Sequence, residues 1–120
     1  MSLTTKLLLS PLLVAQALRA RAKLPRLPEA DGERAGIAGT GAAAVSLLIA
    51  GDSSAAGVGV EHQRDALAQP LAETLAAQTR RAVHWRLIAR SGLTTAQMHE
   101  LLRQHEQLID AEIAVIVTGV

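Results

Sequence analysis

The chain has 120 residues, 49% of them hydrophobic, and a formal net charge of +1. That is the size of one small domain with ample apolar content, although alanine supplies much of it and Trp85 is the only aromatic residue. Near-neutral charge and the lack of stacking rings argue against a nucleic-acid partner. The absence of cysteine excludes a disulfide framework and thiolate metal sites, and leaves the compartment open.

In chain order, Lys6, Arg19, Arg21, Lys23 and Arg26 all precede the first acidic residue, Glu29. They flank an apolar run, Leu7 to Leu18, interrupted by Ser10, Pro11 and Gln16. The run is shorter than the roughly 20 residues that a membrane span needs. Three readings stay open for it. A cleaved signal has Lys6 ahead of the run and Ala20-Arg21-Ala22 in A-x-A spacing, but the arginines fit a cleavage region poorly. An interfacial helix would touch a membrane surface through residues 1–26, and a packed or loosely tethered helix would not. The balance favours a cytoplasmic or membrane-associated protein over a secreted one. Pro25 and Pro28 end this stretch, and Glu29 to Ala43, rich in glycine and mixed charge, reads as a linker. The chain thus divides into a helical segment and linker, 1–43, and a domain, 44–120.

Val45 to Ala50 is continuously apolar, as a strand buried on both faces of a parallel sheet would be. Asp65 to Arg80 places Leu67, Leu71 and Leu75 at four-residue spacing beside Ala68, Ala72 and Ala76, which predicts a helix, with Pro70 in its first turn or kinking it. Ala82 to Ile88 alternates, Val83, Trp85 and Leu87 against His84 and Arg86, which predicts an edge strand. Thr94 and Gln97 form a capping box ahead of a helix whose inward face is Met98, Leu101, Leu102, His105 and Ile109. Ile113 to Val117 is again continuously apolar and predicts a central strand. The order β-α-β-α-β predicts an α/β fold with a doubly wound parallel sheet of flavodoxin-like order.

The strand Leu47 to Ala50 breaks abruptly into Gly51-Asp52-Ser53 and then into small residues, Ala55, Ala56, Gly57 and Gly59. Such a break puts one hydroxyl at the carboxyl end of a sheet strand, where open α/β folds build their sites. A second glycine loop, Arg90-Ser91-Gly92, follows the alternating strand, and Gly119 follows the last one. These three blocks resemble the SGNH, or GDSL-type, esterases and lipases over about residues 44–120. The resemblance implies a serine ester hydrolase that works through an acyl-enzyme on a small acyl ester. Ser53 matches the nucleophile. The backbone N–H groups of Ser53 and Gly92 match oxyanion donors, and Gly51, Asp52 and Gly57 form the supporting loop. The family often has Asn two residues before the Gly92 position, where this chain has Arg90.

Gly119 matches the leading glycine of the family's Gly-x-Asn-Asp block, at which the 120 residues end. Neither that Asn nor the family's Asp-x-x-His segment occurs among them. The resemblance therefore implies that the chain alone is inactive. His62, nine residues beyond Ser53, is the best placed of four histidines to stand in as a base, but loop position alone does not make a triad. His84, His99 and His105 read as surface or packed residues. No His/Asp/Glu cluster has metal-ligand spacing, and Gly57-x-Gly59 lacks the third glycine of a dinucleotide loop, so neither a metal nor another cofactor is expected. The alternatives are a flavodoxin-like, non-catalytic binding module, with Asp52 as an acidic-site residue and the glycine loop holding a phosphate, or an inert truncated fragment.

Overall fold

The computed structural model describes residues 2–23 and 27–119. Met1, residues 24–26 and Val120 lie outside them, and with them Pro25, expected to end the first helix, and the fifth leading cation, Arg26. Helix α1 spans Leu3–Lys23. Strand β1 spans Ala35–Ala38 and β2 Ala44–Gly51, followed by the short helix α2, Ser53–Ala56. Helix α3 (Ala68–Thr79), strand β3 (Ala82–Ala89), helix α4 (Thr95–Gln104) and strand β4 (Ile113–Val117) complete the order.

The four strands make one mixed sheet in the order β1-β3-β2-β4, so the protein is α/β in character. β2 pairs in parallel with β3 on one side and with β4 on the other, so that Leu47 lies opposite both Trp85 and Ile113. The chain steps from β2 to β3, then back across β2 to β4. Right-handed crossovers in opposite directions place their helices on opposite faces of a sheet. The two cores show that arrangement. Val45, Leu47, Val83 and Trp85 pack with Ala68, Ala72 and Ala76 of α3, while Leu48 and Ile88 pack with Leu101 of α4. It is the alanines of α3, not its leucines, that are fully buried. Leu67, Leu71 and Leu75 flank them half-buried. Small side chains let the helix axis approach the sheet closely, which is how a core with a single aromatic ring stays packed.

Two expectations need correction. The sheet is mixed rather than wholly parallel, because Ala35–Ala38, inside the expected linker, forms a strand antiparallel to β3. That strand makes β3 an interior strand instead of an edge. The alternation of His84 and Arg86 reports a face open to solvent, and a strand can be wet on one face while paired along both edges. β4 pairs with β2 along one edge, with Ile113 40% and Ile116 53% exposed. β1 fits beside β3 because it carries Gly36, where a Cβ would lie 2.9 Å from the indole nitrogen of Trp85. That nitrogen donates to Gln69 Oε1 of α3 at 2.7 Å, so the one large ring is satisfied as well as buried.

Helix boundaries follow local chemistry. A 3-10 turn at Gln63–Asp65 precedes α3, which starts at Ala68 rather than at Asp65. Pro70 is then its third residue, within the first turn, where a missing N–H leaves no helical bond unmade. The capping box of α4 is complete. Thr94 N–H donates to Gln97 Oε1 at 2.9 Å, and Gln97 N–H donates to Thr94 Oγ1 at 3.2 Å.

Candidate functional site

Ser53 opens α2, two residues beyond the carboxyl end of β2, and is partly exposed. Asp52 caps the helix, its carboxylate accepting the Ser54 N–H at 3.2 Å, which leaves the Ser53 amide outside that bond. The other carboxylate oxygen accepts the N–H of Gly119, and the Asp52 N–H donates to the Val117 carbonyl at 3.1 Å. Asp52 therefore ties the serine loop to the end of β4.

Gly51 makes this closeness possible. A Cβ there would run into the Val117 carbonyl oxygen and stand 2.8 Å from Ala55 Cβ. Gly57 ends α2 in the left-handed region, φ +83°, with its N–H donating to Ser53 O at 3.1 Å. A side chain at that position would also meet Ala30 and Ala66 at 2.7 and 2.9 Å.

On the other side of β2, the Arg90 N–H donates to Gly51 O at 3.2 Å, so the Arg90-Ser91-Gly92 loop leaves the sheet alongside the serine loop. Gly92 is exposed, with φ +78° and open space where a Cβ would be. In the order β3-β2-β4 the loops bearing Gly92, Ser53 and Gly119 emerge side by side from the carboxyl edge. Between β2 and β4 the winding reverses, which is the switch point where open α/β sheets hold ligands.

The histidines are engaged elsewhere or exposed. His62 Nδ1 accepts the Arg64 N–H at 3.2 Å, and the ring lies against Gly32. His105 Nδ1 lies 2.8 Å from the Leu101 carbonyl, and His84 and His99 are exposed. Among the described residues no group of three or more His, Asp or Glu is placed to hold a metal ion. A cavity of about 570 Å³ opens beside β3, lined by residues that include Arg34, Arg86, Arg90 and His105, and Ser53 does not border it.

Gln63, which no sequence motif singles out, holds the serine loop from behind. It is 1% exposed, and its Nε2 donates to the carbonyls of Ala56, at 2.9 Å, and Ala30, at 3.2 Å. A lone glutamine among charged residues looks like surface, and only the fold reveals that two loops close over it. Gln63→Leu is expected to destabilise the protein by about 1–3 kcal/mol, because the Ala30 carbonyl loses the side-chain donor and the Ala56 carbonyl keeps only the longer bond from the Ala30 N–H, at 3.3 Å. The measurement is the urea midpoint at unchanged slope; an unmoved midpoint would show that neither carbonyl depends on the glutamine.

Comparisons with protein-family models, with curated proteins and with solved structures found no match to this chain.

Proposed function

We propose that the chain is the front part of an SGNH-type serine ester hydrolase with a flavodoxin-like sheet, in which Ser53 is the acyl-accepting nucleophile. The observation that carries the reading is the juxtaposition at the switch point. The Ser53 turn lies between the Gly92 and Gly119 loops on the carboxyl edge of three adjacent parallel strands. In the reaction, Ser53 Oγ bonds to the acyl carbon as its proton passes to a base. The backbone amides of Ser53 and Gly92 receive the negative charge on the carbonyl oxygen. The alcohol leaves with the proton, and water then cleaves the acyl-serine by the same route.

The family's base comes from its Asp-x-x-His segment, which does not occur in these 120 residues. The chain alone accordingly binds and orients but does not activate. A phosphate-binding module with Asp52 as its acidic residue is the weaker reading, because both Asp52 carboxylate oxygens are already occupied by backbone amides. The test is a fluorophosphonate probe on a protein that continues this chain through an Asp-x-x-His segment. Labelling should map to Ser53. Labelling at Ser54 or Ser91 instead, or none at all, would overturn the assignment.

A further inference from the structure

Helix α1 stands apart from everything above. None of its residues is buried, and Leu3, Leu7, Leu8, Leu12, Leu13 and Leu18 are 52–77% exposed. Most stability of protein helices comes from packing one face on a core. Here no face is packed, and Pro11 sits inside the helix, which costs about 3 kcal/mol in water. The leucines also point all ways round the axis, at 100° per residue. Leu3, Leu7 and Leu18 share one side, Leu8 and Leu12 the next, Leu9 and Leu13 the third. A helix that is apolar all round belongs in an apolar medium.

The polar groups of α1 are satisfied as such a medium requires. Pro11 has no N–H to give to the Leu7 carbonyl, and the Ser10 hydroxyl donates to that carbonyl instead, at 2.9 Å. Hydroxyl rescue of a carbonyl freed by proline is how lipid-buried helices tolerate the residue. At the start, Ser2 Oγ accepts the Thr5 N–H and the Ser2 carbonyl accepts the Lys6 N–H. The charge-free run Leu7–Leu18 is about 18 Å long, against roughly 30 Å of bilayer hydrocarbon, and no helix among the described residues is long and apolar enough to cross a membrane. Every charge on α1 is positive, with Lys6 before the run and Arg19, Arg21 and Lys23 after it.

From these observations we infer that α1 is a one-leaflet anchor for an anionic lipid surface, independent of the role of Ser53. The run Leu7–Leu18 sinks obliquely into one leaflet, and the cations remain among the acidic headgroups. The experiment is co-sedimentation of the 120-residue chain with vesicles of phosphatidylcholine alone or with 30% phosphatidylglycerol. Binding is expected on the anionic vesicles. Changing Lys6, Arg19, Arg21 and Lys23 to glutamine should lower it at least tenfold, since each basic residue near such a surface contributes roughly fivefold.

Ser10→Ala should lower binding roughly fivefold or more, because the Leu7 carbonyl then enters lipid without a donor. In water that carbonyl would simply be hydrated. A Leu13→Trp variant should shift its emission to the blue and be quenched by brominated lipid, against the constant background of Trp85 in the sheet core. Deletion of residues 2–23 removes no buried side chain and should abolish binding. Equal binding to neutral vesicles, binding that survives the deletion, or self-association through α1 without vesicle binding would each overturn the inference.

Discussion

The 120-residue chain is expected to hydrolyse p-nitrophenyl butyrate no faster than its own Ser53→Ala variant. A protein that continues it through an Asp-x-x-His segment should do so roughly 10²–10⁴-fold faster, the usual contribution of a positioned general base. A serine hydroxyl is a weak nucleophile until its proton has somewhere to go. The best-placed histidine in the chain is spoken for, with His62 Nδ1 accepting the Arg64 amide and its ring wedged on Gly32. In the longer protein, Ser53→Ala should cancel the whole gain, because members of a triad act as a unit and their losses do not add. Burst kinetics would separate acylation from deacylation and identify the acyl-serine. Ser53-dependent turnover by the 120 residues alone would show that a base is present within them. A gain that survives Ser53→Ala would show that the chemistry lies elsewhere.

The parts of the fold that sequence made legible are those whose signal is local. Val45–Ala50 and Ile113–Val117 announce themselves as strands by unbroken apolarity. Ala82–Ile88 does so by alternation, and α4 by a capping box whose two bonds form within four residues. What was not legible depends on partners far along the chain. β1 is four residues with a glycine and two alanines, too weak a pattern to stand out of a linker, and it exists because β3 offers an edge and Trp85 a flat ring. Whether a strand is interior or at an edge is likewise a property of its neighbours, so the alternation of β3 reads as an edge although β1 covers it. At the site, Ser53, Gly92 and Gly119 could each be picked out as a strand-end residue. Their alignment in adjacent loops needed the β3-β2-β4 order, and the roles of Gln63 and of Asp52 as a clamp on Gly119 needed the closed loops themselves.

Gly51→Ala is expected to cost about 3 kcal/mol, more than one added methyl group usually does, since the clash is with backbone that cannot rotate away. The methyl carbon would be driven into the Val117 carbonyl oxygen and against Ala55 Cβ. Val117 cannot retreat without breaking its bond from the Asp52 N–H and the β2–β4 ladder, in which Gly51 and Val117 are partners. Gly92→Ala separates steric from conformational cost. Its Cβ would point into open space, so only the left-handed φ of +78° is penalised, at about 1 kcal/mol. The two variants compared by urea unfolding should therefore differ by about 2 kcal/mol, with Gly51→Ala the weaker. Forcing β4 away from β2 also pulls Gly119 from the Asp52 carboxylate and loosens the turn that presents Ser53. In the extended protein, Gly51→Ala should then lose fluorophosphonate labelling even at temperatures where it remains folded. Equal stability of the two variants would mean that β4 does not approach β2 as closely as the Asp52 bonds to Val117 and Gly119 require.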